Sequence, residues 1–307
     1  MWYNITKKKV CEKMESIYDE LKDIHHWHEY EPLDNKYYIY PPKIIYACCK
    51  ISDLYHQLCN ARMSLNFCFG YDEYSMMSKD KSAILLTKKY FLENSLLYYN
   101  FSVDYLWQVL WLYYDNSENI NKIATNEYYQ SSMKQCDFQS LLCGLTEIRE
   151  NKVVSVLNKF FSSKNETYDR IRSMYNYLKH RAVFHTPDLG LNAEETDFPI
   201  PTKVITENNE PYIECYKLPM ICRDIVDFDE LKKELIKFDK EFVDLCEYLF
   251  ELLIPKDYLI SKPLPVARAH EYTRKHLSEI EEYAQKHSSI KVKKHLHSLT
   301  INELVDL

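Results

Sequence analysis

Apolar residues recur at helical spacing through most of the chain, and the longest such run covers residues 82–114. Its second half is almost wholly Leu, Val, Trp, Tyr and Phe, which predicts a long helix acting as the spine of the core. Before it, an amphipathic pattern predicts a helix over residues 10–29, then a Pro- and Tyr-rich connection over 30–42. A second helix follows over 43–69, until Gly70 and the polar stretch to Asp80 interrupt it. Helical periodicity returns over residues 122–133 and 138–161. After a polar break at 162–166, the positions Ile171, Met174, Tyr175, Leu178 and Ala182 predict a helix that ends near His185, ahead of Pro187 and Gly190.

From Phe198 to Cys222 the texture changes. Residues 202–206 and 212–216 are β-branched or aromatic runs flanking Asn208 and Asn209, which predicts a β-hairpin. Asp227 then opens a clean helical pattern through Leu231, Leu235, Phe238, Phe242, Leu245, Leu249 and Leu253, ended by Pro255. The tail from Lys256 mixes Lys, His and Glu with weak periodicity. The fold class expected is mainly α, a helical bundle with a small β-hairpin and a C-terminal helical extension. Divided along the chain, it gives an N-terminal helical segment (1–42), the bundle (43–190), and a hairpin with C-terminal helices packed on it (191–307).

Composition narrows the function classes. With only 3 Gly and 11 Pro in 307 residues the chain has few tight turns, which disfavours a glycine-rich phosphate loop. A formal charge of −7 leaves no global basic footprint, so contact with nucleic acid requires a local patch. The ten cysteines include no C-x-x-C pair, and Lys7, Lys8 and Lys9 have no apolar core behind them. Free thiols in a reducing cytoplasm are therefore expected, with neither secretion nor a zinc ribbon. Within the apolar run, Asn100, Asp104 and Gln108 recur every fourth position and form one polar stripe. That pattern suits a core helix with an internal polar network, not a membrane span.

The densest chemistry lies between Arg172 and His185. On a helix, positions four apart lie about 40° apart around the axis, so Arg172, Asn176 and His180 form one stripe and Tyr177, Arg181 and His185 another. His185 falls nearest the apolar face. Histidine can move a proton to or from a ribose hydroxyl or a leaving oxygen, and arginine can hold the charge developing on a phosphate, with no metal or cofactor. One helix supplies one such pair, so a homodimer setting two helices face to face is the natural way to assemble acid and base. The same basic residues also suit the last turns of any helix, where the dipole favours cations.

A long core helix of Tyr, Trp and Leu over 96–114, further helices, then a late helix carrying Arg, Asn and His before a Pro-terminated loop, resembles the HEPN superfamily over residues 43–185. The resemblance implies a helical bundle, usually dimeric, and in many members a metal-independent endoribonuclease of toxin–antitoxin or phage-defence systems. It implies RNA and an antitoxin or other protein as partners, and it admits a non-catalytic binding or scaffold relative. That family's motif places a histidine after an arginine with four to six residues between them. Here Arg181 and His185 have three between them, Arg172 and His180 have seven, and Asn176 and His180 match the spacing of the motif's asparagine and histidine. The resemblance thus nominates Arg181 and His185 first, with His180, Asn176 and Arg172 assisting and Tyr177, Lys179 and Asp104 in support.

Other clusters are weaker. His25, His26 and His28 beside Trp27 could offer imidazoles to a metal but have no well-placed acidic or thiol partner. The tail histidines His270, His276, His287, His295 and His297 accompany Lys291, Lys293 and Lys294, as in an RNA or partner contact or a solvated surface.

Overall fold

A computed structural model describes residues 17–33, 36, 40–70, 80–114, 126–186, 195–207, 210–222 and 225–259, and these are mainly helical. Residues 10–16 and 122–125, Pro187, Gly190, Asn208, Asn209 and the histidine-rich tail lie outside that set.

Seven α-helices carry the described chain: α1 (Pro42–Gly70), α2 (Lys81–Tyr114), α3 (Asn126–Gln135), α4 (Phe138–Glu147), α5 (Asn151–Phe160), α6 (Glu166–His180) and α7 (Phe228–Leu253). Between α6 and α7, β1 (Glu195–Glu207) and β2 (Glu210–Cys222) pair antiparallel, with register shifts after Thr196 and Pro201. None of the described helices is long and apolar enough to cross a membrane.

Three helix boundaries differ from the sequence expectation. Residues 17–29 do not form an α-helix: they make two 3-10 turns, Ile17–Asp19 and His25–Tyr30. The continuous helix expected over 138–161 is two helices. The backbone turns left-handed at Arg149 (φ 64°), where the amide donates to the Thr146 carbonyl, a common way for a helix to stop. The third difference, at the end of α6, concerns the site and is taken up below.

Caps explain where several helices start. The Asp137 carboxylate accepts from the Ser140 amide at 2.9 Å, and these Ser140 hydrogen bonds hold its pKa below the ordinary carboxylate value. Asn165 caps α6 through the Tyr168 amide at 3.3 Å, and Asp227 caps α7 through the Glu230 amide at 2.9 Å. Glu166 and Asp169 in the first turn of α6, against Lys179 and His180 in its last, follow the helix dipole.

The chain divides into two compact units. Unit 1 comprises Met1–Trp27, Asp53–Tyr105 and Glu150–Phe250; unit 2 comprises His28–Ser52, Leu106–Arg149 and Glu251–Leu307. In unit 1 the apolar faces of the helices bury Leu54, Leu58, Leu65, Leu92, Leu96 and Leu249 completely. Phe238 and Phe242 stack 5.5 Å apart, and Phe160 lies 6.1 Å from each. The Ser95 hydroxyl donates to the Ala61 carbonyl at 2.9 Å, which small side chains at both positions permit.

A charged network sits inside this apolar unit. Arg62 grips Asp239 with two hydrogen bonds, Nε to Oδ2 at 2.8 Å and Nη2 to Oδ1 at 2.7 Å, while Nη1 donates to the Lys22 carbonyl. The Tyr99 hydroxyl donates to Asp239 Oδ2 at 2.9 Å, and Asp239 is wholly buried. Burial works against the Arg62 charge, but its hydrogen bonds and attraction to Asp239 win, and its pKa is raised. Burial, followed by the Asp239 charge, holds the Tyr99 hydroxyl far above its ordinary pKa.

In unit 2, Trp107 packs on Phe138 at 5.3 Å and the Trp111 indole donates to Ser132 at 2.8 Å. The buried Lys36 ammonium lies 3.8 Å from the centre of the Tyr258 ring and donates to the Tyr258 carbonyl, and its pKa is lowered chiefly by burial.

Candidate functional site

The site is built on α6, whose middle faces α2 within unit 1. Ile171, Met174 and Tyr175 recur at helical spacing and are buried, which fixes the rotation of the helix. That rotation leaves Ser173, Asn176, Lys179 and His180 exposed and Arg172 half-buried. Arg172, Asn176 and His180 therefore do share a stripe, as the spacing predicts.

Arg172 is held from behind. Its Nη1 donates to Asn100 Oδ1 at 3.2 Å and lies 4.0 Å from Asp104 Oδ1, both on α2. Asn100 is buried, and its own amide nitrogen donates to the Leu96 carbonyl at 3.0 Å. The guanidinium also lies 4.9 Å from the centre of the Tyr175 ring, and the Lys179 ammonium approaches the same ring at 5.7 Å. Burial raises the Asp104 pKa, although Arg172 and Lys179 pull it down. The buried Tyr168 hydroxyl is likewise pushed up by desolvation, against the effect of Arg172.

Arg181 and His185 are not brought onto a common stripe. α6 ends at His180 instead of continuing to His185, and Arg181 is its C-cap, with φ −125° and ψ −66°. Both the Arg181 and the Ala182 amides fall back on the Tyr177 carbonyl. The next backbone groups are captured elsewhere: Glu93 on α2 accepts from the Phe184 amide at 3.0 Å, and the His185 carbonyl accepts from the Val226 amide at 2.8 Å. His185 thereby forms a parallel bridge with Ile225 and is half-buried, while Arg181 is exposed. Tyr177 is buried and stacks on Phe184 at 6.0 Å, with the rings 5° from parallel, so it serves packing.

The arrangement thus brings together Arg172, Asp104, Lys179, Asn176 and His180, and leaves Arg181 beside them on the terminating turn. Gln108, the third member of the polar stripe on α2, is half-buried. Two neighbours, Tyr168 and Phe101, were not singled out by the sequence, where Phe101 is one more apolar residue in a long run. Phe101 is 38% exposed and its ring meets Tyr175 edge-on at 6.4 Å. Among the described residues, no group of three or more His, Cys, Asp or Glu side chains is arranged to hold a metal ion.

Comparison with protein-family models, with curated proteins and with solved structures gives no match for this chain.

Proposed function

We propose that the chain is a HEPN-like endoribonuclease that needs no metal, working through the exposed stripe Arg172, Asn176 and His180. The observation that supports this most is the anchoring of Arg172: Asn100 and Asp104 fix its guanidinium from one side while part of it stays open to solvent. A pre-positioned cation of this kind loses little freedom when it meets a phosphate. The C-terminal end of a helix carries partial negative charge, so an anion is held there only by full cations, and Lys179 and Arg181 supply them. In this reading His180 takes the proton of the ribose 2′-hydroxyl as it attacks the adjacent phosphorus. The ester oxygen leaves, and the product ends in a 2′,3′-cyclic phosphate. A second proton-transfer group, for the leaving oxygen, comes from the same stripe of a second copy. A role as a toxin or phage-defence effector, with an antitoxin as protein partner, follows the same family resemblance.

A second reading rests on a specific observation. His185 is tied into a backbone bridge with Ile225 and parted from Arg181 by the end of α6, which favours a non-catalytic relative that binds a protein, nucleotide or RNA partner. Incubation of the purified chain with structured and unstructured RNA in EDTA separates the two. The nuclease reading expects cyclic-phosphate ends that disappear in His180→Ala and Arg172→Ala. RNA bound but intact under every condition overturns it in favour of the binding module. Light scattering expects a dimer, and a strict monomer removes the shared site.

A further inference from the structure

We infer that the outer edge of β2 is the contact at which two copies of this chain join, strand to strand. The inference comes from the backbone register and does not rest on the ribonuclease reading. Among the described residues the sheet has two strands, so each has one edge that no other described strand occupies. Such an edge is a row of amides and carbonyls able to pair with another chain. In an antiparallel ladder, residues alternate between pairs bonded to each other and pairs whose amides and carbonyls point outward. Proline has no amide to donate, so it belongs to the outward set. All four prolines obey one parity. The pairs Asp197↔Pro219, Pro199↔Lys217, Pro201↔Cys215 and Thr206↔Pro211 place positions 211, 215, 217 and 219 of β2 in that set, and Ile213 with them.

The two edges differ in where their prolines fall. On β1, Pro199 and Pro201 adjoin the register shift after Pro201, so the middle of that edge lacks donors. On β2, Pro211 and Pro219 stand near the two ends and leave Ile213, Cys215 and Lys217 between them, each with an outward amide and carbonyl. Those two prolines lie equally far on either side of Cys215. A second copy laid antiparallel along β2, with the two-fold axis at Cys215, sets Cys215 against itself, Ile213 against Lys217 and Pro211 against Pro219. Every outward amide in the span then finds a carbonyl, on the order of six hydrogen bonds, and the ladder stops where proline meets proline. Sliding the copies by one pairing step puts a proline against an amide-bearing residue and loses bonds at once. No like charges stand opposite each other, since Glu214 falls against Tyr216 and Lys217 against Ile213. An unrelated peptide has no reason to match the spacing of these prolines, and the chain itself does.

The test is sedimentation equilibrium on the full chain, with Cys215→Pro and Val204→Pro as a matched pair. Both replace an outward-facing position by proline, as the native strands already do, so the hairpin keeps its inner hydrogen bonds. Cys215→Pro removes the central amide of each copy and should weaken the dimer at least about tenfold. Val204→Pro makes the same change on the β1 edge and should leave dimer affinity unchanged. Slow hydrogen exchange at the Glu214 and Tyr216 amides in both variants verifies that the hairpin is intact. In the wild-type chain a short bismaleimide should join Cys215 to Cys215 of a second copy, read as a cross-linked peptide by mass spectrometry. A monomeric wild-type chain overturns the inference. So does a dimer that Cys215→Pro leaves at wild-type affinity, or one that Val204→Pro weakens equally. Cross-linked dimers that never contain Cys215 overturn it whether or not the proline variants fold.

Discussion

Two arginines in unit 1 each meet an aspartate and a tyrosine, with opposite consequences. Arg62 is buried to 5% exposure against a wholly buried Asp239, with two short hydrogen bonds and a third to a backbone carbonyl. Arg172 approaches Asp104 at 4.0 Å, with side chains 29% and 41% exposed, and its guanidinium lies 4.9 Å from the centre of the Tyr175 ring. A buried pair gains little overall, because desolvation offsets attraction, but losing one partner strands a charge in apolar surroundings. A half-exposed pair at that distance adds little stability. The first arginine is committed to the fold, and the second keeps part of its guanidinium at the surface.

That contrast can be broken experimentally. Asp239→Ala should cost about 3–5 kcal/mol in denaturant unfolding, because Arg62 is left unpaired in the core. Combining Arg62→Met with Asp239→Leu should recover more than half of that loss, and failure to do so would mean that the network contributes net stability of its own. Tyr99→Phe should cost about 1.5 kcal/mol, the loss of one hydrogen bond to a charged group. Arg172→Ala should lower stability by no more than about 1 kcal/mol, yet reduce the slope of log RNA affinity against log salt by about 0.7, one phosphate contact on a single strand. A large stability loss here would make Arg172 structural and erase the distinction.

Asp104→Asn should have the smallest effect and a definite sign. Because the folded state raises the Asp104 pKa, its contribution to stability is present below the ordinary carboxylate value and is lost as pH rises through the raised one. Replacing it with Asn should therefore flatten the fall in Tm over that mildly acid window. An unchanged Tm profile would show that Arg172 and Lys179 fully balance its burial.

Helices α1, α2 and α7 were legible because each buries a long periodic face, and local pattern then dictates length. The end of α6 was not. Ala182 continues the apolar period, and nothing local stops the helix before Thr186. The stop comes from Glu93 and Val226, which are remote in sequence and claim the backbone at Phe184 and His185. Truncating α6 keeps the stripe Arg172, Asn176 and His180 intact, since it lies inside the helix, and dissolves the stripe Tyr177, Arg181 and His185, since that one needed another turn. The Arg62–Asp239 pair was invisible for a related reason. Its partners stand 177 positions apart, and neither has a local pattern marking it as buried.

The thiols follow the same logic of burial. Desolvation lifts Cys48 and Cys68 to about 12, and Cys246, wholly enclosed, rises well above its ordinary value. Peroxides and disulfides react with the thiolate, and at neutral pH a thiol of that acidity is ionised on the order of once in 10⁵ molecules. These three cysteines therefore pack as small apolar residues and are poor nucleophiles while the core stays folded. Of Cys48, Cys49, Cys59, Cys68, Cys136, Cys143 and Cys246, Cys143 alone is exposed, so among these seven redox damage or chemical labelling should begin on α4.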